Sequence, residues 1–280
     1  MNEPILYYMV IGAVAGTLGS MVGLGGGIIM VPALTILLGV DIKNAISASL
    51  ISLVATSVMS VSVFAKKKVV HFKLGLILVS TTIVGSFVGS YIGVYLEPRI
   101  LMILFASLMI LASAMLFRNL KRRTVDVSYE PAEGEGAESF LYINGTFRSE
   151  TSGEMEFFKV KRVPLNIILS TFAGCISGLL GVGGGIIQVP MMHLVGGVPI
   201  KIASATSSFM IGFTGLAGAI VYFIYDQFNL VMTSALIIGI ICGSYLGSKI
   251  ALKVNSKFLI VVLLVILLYT SFRMFSKVTG

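Results

Sequence analysis

The sequence predicts an all-α integral membrane protein made of two inverted repeats. Each repeat has about five helical segments and opens with a glycine-tipped helical hairpin. Three observations predict this. The 280-residue chain is 56% apolar and 11% charged, with a mean hydropathy of +1.01, whereas a soluble domain carries roughly twice that share of charge. A glycine-rich motif occurs twice, 158 positions apart, as Gly23-Leu-Gly-Gly-Gly-Ile-Ile-Met-Val-Pro32 and Gly181-Val-Gly-Gly-Gly-Ile-Ile-Gln-Val-Pro190. The basic residues cluster at the ends of apolar runs, so that equivalent loops fall on opposite faces.

The 158-residue register extends well beyond the motif. Gly16 matches Gly174, and Gly39, Val40, Ile42 and Lys43 match Gly197, Val198, Ile200 and Lys201. Ala45 and Ser49 match Ala203 and Ser207. Far downstream, Gly85-Ser86 and Gly89-Ser90 match Gly243-Ser244 and Gly247-Ser248. Such an ungapped register marks a duplication. The first repeat is read as residues 1–117 and the second as residues 163–280.

The apolar segments of the first repeat are 5–22, 27–38, 44–65, 74–95 and 99–117. Those of the second are 164–180, 185–196, 202–225, 231–251 and 258–274. A bilayer core of about 30 Å takes about 20 residues of helix. The second segment of each set is too short for that and follows directly on the glycines, so the first two segments are predicted to form a hairpin with the glycines at its tip. The first segment follows Asn2 and Glu3 rather than a basic stretch and has no small-residue cleavage pattern, so it is not expected to be a signal peptide. Gly85, Gly89, Gly243 and Gly247, spaced four apart, read as helix-packing positions.

Residues 118–162 are different in kind. The segment is polar, with Glu130, Glu133, Glu135 and Glu138 among glycines, and Asn144-Gly145 lies between apolar or aromatic runs. Asn-Gly is a hairpin turn signal, so a cytoplasmic linker carrying a small β-hairpin is expected, its turn at those two residues. On that side the Asn144-Gly-Thr146 sequon would be silent.

Topology follows from the excess of Lys and Arg on cytoplasmic loops. Lys66, Lys67, Lys68 and Lys73 place that loop inside, as do Arg118, Lys121, Arg122 and Arg123, then Lys159, Lys161 and Arg162, and then Lys249, Lys253 and Lys257. Tyr225–Asn229 has no basic residue and falls outside, whereas Arg273 and Lys277 run against the pattern. The repeats are then inverted, a common transporter architecture. The net charge of +8 is accounted for by these flanks, and no nucleic-acid role is expected. Cys175 and Cys242 lie in apolar segments without metal-ligand spacing.

In an inverted duplication the two glycine tips approach from opposite faces and meet near the midplane. Irregular backbone is tolerated there only where it is buried or lines a cavity. Each tip leads into a short helix whose first N–H groups are free and carry partial positive charge. Glycine removes the side chains that would hold a ligand away. The arrangement suits a small oxyanion held by backbone amides, at Gly25, Gly26 and Gly27 and at Gly183, Gly184 and Gly185. Hydroxyls gather after each hairpin: Ser47, Ser49, Ser52 and Thr56, then Ser204, Thr206, Ser207 and Ser208. They either touch the substrate or bond back to their own helix. Gln188, where the first repeat has Met30, is a ligand candidate. His193 is either a proton carrier or structural, and Lys43 and Lys201 either attract the anion or snorkel to the headgroups. No Asp or Glu lies deep in an apolar segment, so proton or sodium coupling through a buried carboxylate is not indicated.

The doubled glycine motif, each copy followed by a serine-rich helix start, resembles the TauE/SafE sulfite exporter family of membrane permeases over nearly the whole chain except the linker. The resemblance implies export of sulfite or related sulfur anions, such as sulfonates or sulfoacetate, across a bacterial inner membrane or archaeal plasma membrane. The family's glycines fall on Gly25–Gly27 and Gly183–Gly185, and its Thr-Ser pair on Thr206-Ser207. In the first repeat that pair is Ala48-Ser49, so a hydroxyl is missing, and the long linker departs from the compact family pattern. The expected partners are the anion and the lipid bilayer, with a homodimer as the candidate assembly; no cofactor is expected. The alternative is a permease for another small anion, or uptake rather than export. A metal transporter would show His, Cys or carboxylate clusters and a membrane enzyme paired acid–base residues; the two histidines, His71 and His193, supply neither.

Overall fold

The computed structural model describes residues 3–67, 69–121, 144–148, 155–251 and 256–279. The first repeat runs α1 (Glu3–Val22), α2 (Gly27–Pro32) continuing as a π-helical stretch through Ala33–Leu37, α3 (Ile42–Lys66), α4 (Phe72–Tyr95) and α5 (Pro98–Lys121). Two short strands follow, β1 (Asn144–Arg148) and β2 (Met155–Lys159). The second repeat repeats the order as α6 (Val163–Leu180), α7 (Gly185–Leu194), α8 (Ile200–Ile224), α9 (Leu230–Ala251) and α10 (Ser256–Thr279). Among the described residues, seven helices are long and apolar enough to cross a membrane, while Gly27–Leu37 and Gly185–Leu194 are not. The chain is a multi-pass, all-α membrane protein.

The helix starts have local causes. The Asp41 carboxylate accepts the Lys43 N–H at 2.8 Å and caps α3. His71 Nδ1 accepts from Leu74 N–H at 3.1 Å and caps α4. Asn229, at the equivalent position of the second repeat, does the same for α9 through Met232 N–H at 3.0 Å. Pro32 lacks the N–H that would continue the ladder inside the short helix, and α2 gives way to π turns one residue later.

Helices pair across the repeats rather than within them. α1 lies against α9 and α4 against α6, while α3 packs on α8 and α5 on α10. The first two seams are closed by glycines. A Cβ on Gly243 would fall on the Ala13 carbonyl oxygen, and one on Gly85 on the Thr171 carbonyl oxygen. Gly89 and Gly247 meet Cys175 and Thr17 in the same way, so all four act as the packing positions the sequence suggests. The contacts Gly12–Leu236 and Gly16–Ile240 rise together along α1 and α9, so these helices run parallel. α3 and α8, equivalent helices, run antiparallel: Leu50 faces Gly215, and Ser57 faces Phe209 and Gly212.

The β-hairpin differs from the sequence expectation in its turn. Asn144 pairs with Lys159 and Arg148 with Met155, so Asn144-Gly145 begins a strand and the connection runs through residues 149–154. That connection and residues 122–143, with the four linker glutamates, lie outside the described residues. Register explains the shift, because Phe158 on β2 is buried and packs edge-to-face on His71, ring centroids 5.8 Å apart. With Val160 and Val163 it joins a core of Leu74, Leu78, Val189 and Met192. The hairpin is thereby seated on the His71 end of α4.

Candidate functional site

The two glycine segments cross at the centre of the molecule. They lie side by side in opposite directions rather than tip to tip. A Cβ on Gly27 would strike the Gly181 carbonyl oxygen, and one on Gly185 would lie 2.5 Å from the Gly23 carbonyl oxygen. Between these ends, Gly183 faces the Leu24 carbonyl. Gly25, Gly26, Gly183 and Gly184 have φ of 85°, 79°, 81° and 68°, a region that L side chains avoid. Residues 23–27 and 181–185 are all buried.

From each crossing a short helix leads away. Ile187 and Gln188 N–H donate to Gly184 O at 3.0 Å, and Ile29 and Met30 N–H to Gly26 O at 3.0 Å. These are the first helical turns, so the N–H groups of Gly185 and Ile186, and of Gly27 and Ile28, precede them at the positive ends of α7 and α2.

Ser49 and Ser207, equivalent residues, reach across the crossing. Ser49 Oγ donates to Gly181 O at 2.6 Å. Ser207 Oγ lies 3.3 Å from both Gly23 O and Gln188 Oε1, so one proton serves two acceptors. Gln188 is fully buried, and its Nε2 has no hydrogen-bond partner among the described residues. That nitrogen lies 3.2 Å from where a Gly184 Cβ would be. An unpaired amide donor thus sits beside the N-terminus of α7. Met30, at the equivalent place, has nothing to donate.

Most of the other candidates lie elsewhere. Thr206 Oγ1 accepts the backbone N–H of His71 at 3.1 Å, away from the glycines. Ser204 donates to Val22 O at 3.1 Å, which anchors the start of the first glycine segment. His193 Nδ1 is 2.9 Å from Val198 O in its own hairpin. Lys43 Nζ donates to Val94 O at 2.6 Å, near the end of α4. Lys201 is exposed.

Two apolar residues at the crossing escape sequence reasoning. Leu53 Cδ2 lies 2.6 Å from a Cβ built on Gly25 and 3.1 Å from one on Gly183, and Ile211 Cδ1 lies 2.8 Å from the Gly25 Cβ. Leu53 and Ile211 are equivalent in the duplication and fully buried. In an apolar helix only the 158-residue equivalence would single them out.

A duplicated bundle of membrane-length helices, with buried irregular backbone and polar side chains gathered at its centre, belongs to the class of multi-pass membrane transporters. Among the described residues no group of three or more His, Cys, Asp or Glu could hold a metal ion. The profile of the family Sulfite exporter TauE/SafE matches residues 8–274, and the chain belongs to that family. It is 31% identical over 267 residues to the Probable membrane transporter protein YunE of Bacillus subtilis, covering 93% of each chain. It is 28% identical over 270 residues to the Probable membrane transporter protein MJ0441 of Methanocaldococcus jannaschii, covering 91% of this chain and 89% of that one. A shorter match, 33% over 93 residues, 32% of this chain and 21% of the relative, is to Sulfite exporter TauE/SafE family protein 6 of Arabidopsis thaliana. No solved structure matches the chain significantly.

Proposed function

We propose that this transporter exports a small sulfur oxyanion, sulfite or an organosulfonate, bound where the glycine segments cross. The carrying observation is Gln188, fully buried beside the start of α7 with its Nε2 unpaired among the described residues. A buried donor without a partner is costly, and an oxyanion oxygen would satisfy it. The N–H groups at Gly183–Gly185 and at Gly26 and Gly27 add positive potential without a charged side chain, that of Gly25 being held by Gly19 O at 3.3 Å. Ser49 and Ser207 supply hydroxyls that are within reach if they release the carbonyls they now hold. Thr206, turned toward His71, enters the site only if α8 rotates.

The inverted arrangement of repeats 1–117 and 163–280 is part of the proposal. The antiparallel packing of the equivalent helices α3 and α8 supports it, as does the charge of the loops, with linker 118–162 on the cytoplasmic side. Lys277 Nζ donates to Thr35 O at 2.6 Å, at the outer end of the first hairpin in this topology, which accounts for a cation that runs against the charge rule. Rocking of one repeat against the other would then expose the crossing to each face in turn.

Sulfite flux in sealed proteoliposomes tests the substrate. Saturable flux above protein-free vesicles is expected, with competition by organosulfonates. Flux at the vesicle leak rate for sulfite and organosulfonates alike would overturn the assignment while leaving the family membership intact.

A further inference from the structure

We propose that the anion reaches the crossing along two hydroxyl-lined half-paths. One runs toward the Lys66 end of the molecule between α3 and α9, the other toward the Tyr95 end between α8 and α4. The inference rests on the anion site proposed above and names its route.

The first half-path begins beside Ser49. Ser52, Thr56 and Ser60 follow on α3 at a spacing of four, and all are fully buried. A spacing of four keeps them on one helical face, and eight residues carry that face about 12 Å along the axis. α9 brings Ser248 to meet them, its Oγ donating to Ser60 Oγ at 3.1 Å, with Ser244 one turn earlier beside Gly16 of α1; both serines are fully buried.

The second half-path is its equivalent. Thr214 stands for Thr56, Ser86 for Ser244 and Ser90 for Ser248, with Thr82 added; all are fully buried. Ser86 Oγ donates to Thr214 O at 2.7 Å, and the hydroxyls of Thr214 and Thr82 are 3.4 Å apart. Gly218 replaces Ser60, and Ser90 and Ser86 fill the space its side chain would take: their Oγ atoms are 2.7 and 3.0 Å from its would-be Cβ.

Close packing alone does not call for these residues. Alanine or glycine would let the helices approach as closely and leave no polar atom unmet. Yet among the described residues Ser52 Oγ and Ser244 Oγ on the first half-path have no hydrogen-bond partner. Both serines are fully buried. Hydroxyls that donate in any direction can replace the water around an anion step by step, and unmet ones on the first half fit a path that closes when empty. At the centre Leu53 and Ile211 pack on the glycines and separate the halves, so that opening one does not open both.

The test uses single cysteines on a chain whose Cys175 and Cys242 are replaced by alanine. Ser248→Cys and Ser90→Cys are placed in oriented membrane vesicles. They are treated with a membrane-impermeant sulfonatoethyl methanethiosulfonate, with and without methanesulfonate, an organosulfonate that, unlike sulfite, does not react with the reagent. A thiol reacts as its thiolate and needs access to water. Ser248→Cys is expected to react from the Lys66 side and Ser90→Cys from the Tyr95 side. Each should react at least an order of magnitude faster than Leu246→Cys on the outer face of α9, and each should be slowed by methanesulfonate. Both cysteines unreactive in protein that still transports sulfite, or both reactive from one side, would overturn the half-paths and reduce the hydroxyls to packing. Two-sided reactivity without protection by methanesulfonate would uphold the paths and instead sink the anion site on which they converge.

Discussion

Replacing Gln188 by methionine separates binding from folding, because the duplication has already tested methionine in the equivalent place. Met30 is fully buried one helical turn after the first glycine segment, as Gln188 is after the second. Methionine is close to glutamine in length and fills irregular space. The substitution removes one shared hydrogen bond from Ser207 at 3.3 Å and a buried donor that has no partner. A neutral bond contributes about 1 kcal/mol, and an unmet buried donor costs about 1–3 kcal/mol. The Tm of purified Gln188→Met should therefore equal or exceed that of the parent. Binding should suffer instead. A hydrogen bond to a charged acceptor is worth about 1.5–3 kcal/mol, and 1.4 kcal/mol is about tenfold in Kd, so sulfite should bind about ten- to a hundredfold more weakly. Titration calorimetry in detergent reads this directly. Gln188→Glu adds a second arm, since a carboxylate there should abolish anion binding. Undiminished sulfite binding by Gln188→Met, or tighter binding by Gln188→Glu, would refute the reasoning and indicate that the amide nitrogen does not hold the ligand.

Other outcomes follow from the same geometry. Gly27→Ala drives a methyl into the Gly181 carbonyl oxygen, a backbone atom that cannot turn away, and should yield little folded protein by size-exclusion chromatography. Gly39→Ala, at φ 64° with nothing within 4 Å of the new Cβ, should cost only about 1–2 kcal/mol of left-handed strain and transport normally. Ser49→Ala removes a bond of 2.6 Å, whereas Ser207→Ala removes a shared contact of 3.3 Å. The first should therefore lower the Tm more, although the two positions are equivalent; equal losses would contradict the asymmetry of the crossing. Phe158→Ala removes a buried ring worth about 3 kcal/mol. Trypsin cleavage at Lys159 and Lys161 should rise about a hundredfold where cleavage tracks the opening equilibrium, with the helical core unaffected.

Membrane class, the duplication and the element order were legible in the sequence because each rests on a pattern many residues long. The glycine segments were legible because φ values near 80° and backbone contacts without room for a Cβ admit little else. Thr206 against Ser207 shows a finer rule. Neighbours on a helix point about 100° apart, so the adjacent pair could not both face the glycines. Ser207 has a serine partner at Ser49, while Thr206 has Ala48, and the residue with the equivalent partner is the one at the crossing. Asn144-Gly145 misled because a local turn preference yielded to tertiary packing, the burial of Phe158 setting the register. Leu53 and Ile211 were hidden because one apolar residue among many carries no signal until its neighbours are known. The side-by-side crossing was hidden too, since the motif specifies flexible backbone but not its path.

The central claim is that backbone amides and the Gln188 side chain hold the anion at the crossed glycine segments. A crystal structure with selenite, the heavier analogue of sulfite, tests it most directly through the anomalous signal of selenium. The account predicts a single strong peak with its oxygens within hydrogen-bond distance of Gln188 Nε2 and of the N–H groups at Gly184 and Gly185. A selenite held only by Lys43, Lys201 or other surface cations, with the crossing unchanged and empty of selenium, would contradict it.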